Sequence, residues 1–461
     1  MLPWPHLKAG TIVLQRTEAA DPSVPMSPPE AHRPTRWGMI LMLTLTMFIA
    51  LTVGGLGAPL LEPIKSELGM TDLQIGLLGG FAALIPTLLL SLPVAYLVDH
   101  GTRVRILAVL AAVWASGTIG MAFVTDFATL FIAKLVSGIG GATAGPVLIS
   151  LMADVTAPEK RGRSMLLISV GAWAGVAAAF AVGGSLYGFF DKNPGSGLLG
   201  LSAWREVHLL AGLVALAAGL PYLIFREPPR YEVERTEPSV RESLSTLWQR
   251  RGFLGPMLVA QLTGGLAEGA AGIWMGAILV RQYGLAPGDF GVWIGGIIVA
   301  SGLAGSIIGG FASDAARKLR MRGGVLLPAF IATALTVPAG AFSIMPTASG
   351  FGWMLFALLT GGSLVTLVCS SAIALLIPNE DRALTLAGMG MISKVAMTGI
   401  APAAIGWVAS NSEGTFGLGQ SIAVLGVVTG AISTIGFWYA MRNAPIEVAR
   451  DPGAKMIPAD A

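Results

Sequence analysis

Three ionisable side chains, Lys134, Glu268 and Lys394, fall deep inside long apolar runs of this 461-residue chain. Each costs about 2.5–3.5 kcal/mol at the centre of a helix in lipid, so such groups are kept where they pair, titrate or meet a polar ligand. A carboxyl buried without a base takes up a proton readily, whereas one beside a lysine stays charged. Glu268 is therefore a candidate for proton loading or ligand contact, and a structural ion pair with Lys394 is the competing reading. Gln261 precedes Glu268 by about two turns. Gly264, Gly272 and Gly276 share its face at four-residue spacing, where missing side chains let the backbone bend or admit a ligand. Trp173 and Trp274 are candidate cavity walls; the plainer reading is that aromatic residues in such runs pack or anchor at an interface.

Residues of this kind need helices to hold them. From Trp37 onward the chain has twelve apolar stretches, near 37–61, 74–98, 104–124, 128–152, 164–187, 206–225, 253–282, 290–313, 324–345, 351–377, 384–409 and 419–441. They lack the apolar–polar alternation of strands in a membrane barrel, so helices are expected. At 1.5 Å per residue, Glu268, about 15 residues into the seventh stretch, and Lys394, about 10 into the eleventh, lie near mid-depth, with Lys134 nearer the outer side.

Hydrophobic residues make up 54% of the chain and charged ones 12%, against roughly a quarter charged in soluble domains, which excludes an ordinary soluble enzyme. The balance of 29 basic and 26 acidic residues is too even for a nucleic-acid binder, whose bases cluster on one face. The 61 glycines point to closely packed helices. Cys369 is alone, so no intramolecular disulfide forms. The four scattered histidines offer no metal cluster, and no phosphate-binding loop occurs, so no cofactor is expected. Gly138 and Gly140, or Gly388 and Gly390, lie within apolar helices and read as packing glycines. No paired acids or Ser–His arrangement in the spans suggests an intramembrane enzyme.

Twelve crossings put both tails on one side, and the distribution of lysine and arginine chooses which. With cytoplasmic tails, 23 of the 29 bases fall in inner segments and four in outer loops, so both termini are expected in the cytoplasm of a bacterial inner membrane. Residues 1–36 read as a disordered cytoplasmic tail, with Met26 as an alternative start, and 442–461 as a second tail. Between the sixth and seventh stretches, 226–252 is a linker. Its Ser239 and Glu242 have capping-box spacing, and Val240, Leu244, Leu247 and Trp248 form one apolar face, as in a helix resting on the membrane surface.

An internal repeat follows from the charged loops. "AYLVDHGTRVR" and "GFASDAARKLR" place Asp99 and Asp314 215 residues apart, and "APEKRG" and "PNEDRA" place Arg161 and Arg382 221 apart. Two anchors with nearly one offset indicate duplicated halves, the plan of carriers whose bundles rock about a midplane site. An Asp at a helix end can pair with Arg or accept from a neighbouring helix N-terminus. Asp99, Arg103, Asp154, Arg161, Asp314, Arg317, Lys318 and Arg382 are therefore candidate gating residues, and pure topology determinants are the alternative.

The loop patterns A-x-x-x-D-x-x-x-R and G-x-x-x-D-x-x-R-K resemble those of the major facilitator superfamily, from Trp37 to Arg442. "KLVSGIGGA" resembles its fourth helix, with Lys134 where Arg is usual. Gly171, Gly175, Gly183 and Gly184 keep the spacing of the drug/proton antiporter motif, whose Gly-Pro pair is replaced by Ala179-Phe180. "LLEPIKSELGMTDLQIGLLGGF", "LPVAYLVDHGTRVR", "ISLMADVTAPEKRGRSM", "REPPR" and "WMGAILVRQYGLAPGDFGVWIGG" resemble the spinster-like branch, whose eukaryotic members carry sphingoid and lysophospholipid-type molecules. That branch usually has an acid in helix 1 and another in helix 4, where this chain has Val53 and Gly141.

The resemblance implies an all-α membrane protein of twelve transmembrane helices in two pseudo-symmetric six-helix bundles, 37–225 and 253–441. It also implies helices 1, 4, 7 and 10 around a central path, with Glu268 and Lys134 facing it. The repeat offset carries Glu268 onto Val53, as if the titratable acid had moved to the symmetry-related helix. The expected function is secondary transport of a small organic, lipid-like or organic-anion substrate by alternating access, with protons as the coupling ion through Glu268. A facilitative uniporter and a non-transporting receptor or sensor are the alternatives. The expected partners are the substrate, the lipid bilayer and protons, without nucleic acid, and the expected state is a monomer.

Overall fold

The computed structural model describes residues 35–157, 160–229, 248–318, 321–377, 379–411 and 417–445, apart from a few helical side chains, Asp99 and Arg161 among them. The N-terminal tail through Pro34, the expected surface helix of the linker and most of the C-terminal tail lie outside these residues. No strand occurs among the described residues.

The first crossing is two helices, α1 (Trp37–Gly55) and α2 (Gly57–Leu68). The break at Leu56 follows from sequence: Gly54 and Gly55 weaken the helix, and Pro59 has no N–H for the Gly55 carbonyl. Then come α3 (Asp72–His100), α4 (Arg103–Met121), α5 (Phe127–Val155), α6 (Arg161–Lys192) and α7 (Ala203–Gly219). The second half holds α8 (Arg251–Tyr283), α9 (Pro287–Arg317) and α10 (Leu327–Thr336), the last extended by short 3₁₀ turns on both sides. It continues with α11 (Ala348–Leu376), α12 (Asn379–Lys394), a π-helical segment (Val395–Ile400), α13 (Ala401–Asn411) and α14 (Leu418–Arg442). Eleven helical runs among the described residues are long and apolar enough to cross a membrane, and α5 adds a shorter described apolar stretch, Phe127–Gly140.

Helix starts are fixed locally. Thr71 accepts from Gln74 N while Gln74 returns a bond to Thr71 N, and Asp126 and Thr129 do the same ahead of α5. Gly284, at φ +67°, closes α8 in the left-handed region that a side chain would resist.

Apolar packing divides unequally along the molecule. At the end away from the described chain termini, one core joins both halves, with Leu56, Leu60 and Phe180 of the first half and Trp274, Phe290 and Phe351 of the second. At the end carrying Trp37 and Arg442, there are two separate cores. Ile40, Val104 and Leu151 belong to the first half's, and Met257, Val368 and Phe437 to the second's. Two seams hold the joined end. Along α6 and α9, a Cβ on Gly291 would strike the Phe180 carbonyl; between α3 and the π segment, a Cβ on Gly80 would come within 2.7 Å of the Gly399 carbonyl. At the divided end a Cβ on Gly162, Gly388 or Gly390 would meet nothing within 4 Å.

Candidate functional site

Glu268 lies on α8 and lines a cavity of about 50 Å³, counted as volume open to the centre of a water molecule. A single water needs roughly 10–15 Å³ in that measure, so a few water-sized occupants fit. The lining comes entirely from the second half: Gln261 on α8, Thr333 and Thr336 on α10, Gly362 on α11, Met397 of the π segment and Ser433 on α14 are among it. Glu268 thus points into the interior of its own half. The expectation that it projects into the path between the halves is corrected. The reason is helical geometry: residues four apart advance by about 40° around a straight helix. Gly264 and Glu268 therefore face inward, while Gly276, two steps on, faces the first half, where its Cβ would come 2.8 Å from the Ala58 carbonyl.

The carboxyl of Glu268 lies so close over Gly362 that a Cβ there would overlap it. Next to it, a Cβ on Gly361 would come 3.2 Å from Thr336 Oγ1. Carboxyl and hydroxyl therefore approach neighbouring faces of α11, about 100° apart around the helix. Among the described residues Glu268 makes no ion pair, so the Glu268–Lys394 pair does not form. Lys394 ends α12 immediately ahead of the π segment and is exposed.

The other expected residues are dispersed. Gln261 and Gly264 line the Glu268 cavity, and Gln261 Oε1 is buried without a hydrogen-bond partner. Lys134 on α5 donates to the Gly54 carbonyl at 3.0 Å, beside the α1–α2 break and next to Val53, the repeat counterpart of Glu268. Gly272 has open space beside it. Trp173 packs in the α6–α9 seam, where a Cβ on Gly302 would reach its indole. Trp274 is fully buried and donates through Nε1 to the Pro402 carbonyl at 3.2 Å, joining α8 to α13. Neither tryptophan lines the Glu268 cavity.

Of the expected gating residues, Arg103 is 3% exposed and pairs with Asp154 at 2.5 Å and Glu227 at 2.7 Å. This network ties α4, α5 and the segment after α7 together within the first half. Asp314, Arg317 and Lys318 are exposed and form no ion pair among the described residues. Arg382 donates to the Ile377 carbonyl at 3.4 Å while its Nε has no partner. The side chains of Asp99 and Arg161 lie outside the described residues.

The ion pairs that cross between halves are ones sequence reasoning passed over. Arg281, at the end of α8, donates to Glu62 of α2 at 2.5 Å and to Asp72 of α3 at 2.6 Å; Lys65 reaches Asp72 at 2.6 Å. All four residues lie within "LLEPIKSELGMTDLQIGLLGGF" and "WMGAILVRQYGLAPGDFGVWIGG". The signal was the excess of charge at two helix ends, readable as a pair only once those ends meet. Beside them Glu67 accepts from Arg205 at 2.7 Å and from Trp204 Nε1 at 2.6 Å.

Two helical halves closed together at one end by an apolar core and a cross-half ion cluster, and separate at the other, form the architecture of a membrane carrier. The chain belongs to the Major Facilitator Superfamily, whose family model matches residues 42–362. Its fold is like that of a bacterial homolog of the human lysosomal transporter Spinster, solved inward-facing and occupied. The TM-score is 0.76 at 18% identity, covering 89% of this chain and 97% of that one. In sequence it is 28% identical over 200 residues to protein spinster homolog 1 of Rattus norvegicus, covering 41% of this chain and 35% of the relative. It is 27% identical over 181 residues to the 3-(3-hydroxy-phenyl)propionate transporter of Escherichia coli K12, covering 39% and 40%. These matches span less than half the length of either curated relative. The protein is thus a multi-pass membrane protein of this superfamily, and alternating access is typical of its fold.

Proposed function

We propose that this chain is a secondary transporter moving a small organic or amphiphilic substrate across the bacterial inner membrane, with both termini cytoplasmic and a monomer as the working unit. In this reading 37–225 and 253–441 are the two rocking bundles, 226–252 the cytoplasmic linker, and 1–36 and 442–461 the tails. The observation that carries it is the uneven core: joined across the halves at one end and divided in two at the other. With lysine and arginine concentrated at the divided end, that end is the cytoplasmic one. The conformation is then inward-facing, held by Arg281, Glu62 and Asp72 on the outer side. The substrate passes between halves that part at that cluster when the cycle reverses.

Coupling runs through Glu268, and the placement of its cavity shapes how. Met397, which lines that cavity, belongs to the same π segment as Thr398 and Gly399, whose carbonyls abut Gly80 of the first half. Protonating Glu268 changes the charge against this inter-half contact, so the acid acts on the rocking equilibrium without touching substrate. Lysolipids, sphingoid compounds and aromatic or other organic anions are the substrates to load into proteoliposomes, with and without a pH gradient. Gradient-driven flux that Glu268→Gln abolishes supports coupling. Gradient-independent flux, unchanged by Glu268→Gln, identifies a uniporter, and no flux for any class favours a receptor.

A further inference from the structure

We propose that the Glu268 cavity is a binding site for a monovalent alkali cation, sodium above all, built wholly within the second half. The site deepens the coupling reading above by naming a second ion for the same carboxylate. Its binding is nonetheless measurable without transport.

The polar groups facing this cavity are arranged to accept. The hydroxyls of Thr333, Thr336 and Ser433 each donate their one proton to a backbone carbonyl, those of Ala329, Ala332 and Ala260, at 2.9, 2.8 and 2.7 Å. Their lone pairs are left for the cavity. Gln261 contributes a buried Oε1 with no partner, and Glu268 contributes two carboxyl oxygens. All five residues line the one cavity. Ser433 Oγ lies 3.0 Å from where Gly264 would carry a Cβ, one turn from Glu268, while Thr336 Oγ1 lies 3.2 Å from the Cβ position of Gly361, the residue before the Gly362 that the carboxyl covers.

No lysine, arginine or histidine lines the cavity from α8, α10, α11, the π segment or α14, and Glu268 is the one titratable group among its described lining residues. Lys394, three residues before Met397, is exposed and does not line it. Cys369 on α11 is buried elsewhere. A carboxylate taken out of water without a base must be neutralised by a proton or a bound cation. A cavity rich in oxygen acceptors stabilises the cation as well as the charge. One carboxylate matches one positive charge, whereas calcium sites commonly gather several carboxylates and carbonyls. The volume takes a small ion with one or two waters.

The test is saturable ²²Na⁺ binding to the purified full chain in nanodiscs, with choline or potassium as replacement, at alkaline and acid pH. One sodium per chain is expected, displaced by protons with at least a tenfold weaker half-saturation at acid pH and poorly displaced by potassium. Glu268→Gln should lose binding, and Thr336→Val should weaken it several-fold, both eluting as folded monomers. Absence of saturable binding to the wild-type chain at alkaline pH overturns the proposal, as does binding that Glu268→Gln leaves intact. Because the wild type alone decides the first outcome, a misfolded variant cannot shelter the idea. Proton-driven, Glu268-dependent flux in sodium-free medium without sodium binding leaves the coupling reading standing and removes this one. Sodium binding without flux does the reverse.

Discussion

Replacing Arg281 by Gln removes the one side chain among the described residues that bonds from the second half to both Glu62 and Asp72. Four N–H···O contacts go with it: Nε and Nη2 to Glu62 Oε1 at 2.8 and 2.5 Å, and Nη1 and Nη2 to Asp72 at 2.9 and 2.6 Å. The guanidinium side chain is 28% exposed and its partners 17% and 13%. The cluster therefore falls between exposed pairs, worth up to about 1 kcal/mol, and buried pairs, whose disruption costs about 3–5 kcal/mol. An intermediate value of about 2 kcal/mol corresponds to roughly a thirtyfold shift in the equilibrium between closed and open forms of this joined end. Lys65 still holds Asp72 in the variant, which keeps the figure below the buried limit. The assay is a distance distribution between spin labels on cysteines at Ser66 and Asn411, exposed positions at this end in opposite halves. The lone native cysteine, Cys369, is buried, so labelling is specific. Wild type should give one short population, and Arg281→Gln should add a longer one that Arg281→Lys largely suppresses. An unchanged distribution, with labels no more accessible from outside, would refute the lock.

Gly291→Val should disrupt the α6–α9 seam, because a side chain there meets the Phe180 backbone; overpacking of this kind costs about 1–3 kcal/mol, read as a lower melting temperature in detergent. Arg103→Ala removes the guanidinium from Asp154 and Glu227 at the divided end and leaves the Glu227 carboxylate its bond from Val104 N. With Arg103 buried and Glu227 26% exposed, the loss should approach the lower part of the 3–5 kcal/mol range, seen by thermal unfolding. Asp126, outside the spans, accepts from Thr129 N, and that bond holds its carboxyl below the usual aspartate range. Its cap is complete above the ordinary aspartate pKa and is lost as pH falls through the lowered value. Asp126→Asn should therefore flatten the acid dependence of melting while leaving neutral-pH stability nearly unchanged.

Much of the fold was legible because membrane insertion is a local decision. A run of apolar residues long enough to cross lipid must form a helix, whatever its neighbours, since its backbone has no other partner there. The twelve stretches were read from the sequence, and the break at Leu56 between Gly55 and Pro59 and the caps at Thr71 and Asp126, seen in the structure, likewise follow from residues within a turn or two of each other. Arg103 and Asp154 were also singled out from loop chemistry, but Glu227 was not, because the carboxylate beside "PPR" reaches Arg103 only when α7 packs on α4.

Azimuth was not legible. Glu268, Gly272 and Gly276 share a row in sequence, yet the row winds around α8, so one member enters the second half's interior and another meets the first half. Residue count along each stretch placed Lys394 near the depth of Glu268, while the two sit on helices whose facing sides do not bring them together. Arg281 is 219 residues from Glu62 and 209 from Asp72 in the chain, and no local pattern links it to them. Composition and the apolar runs marked out a membrane protein of twelve stretches, and the repeated charged loops related its halves, while the family resemblance implied a carrier. Only tertiary packing decided which face of each span is buried and which charges meet, because those depend on the rotation of one rigid helix against another.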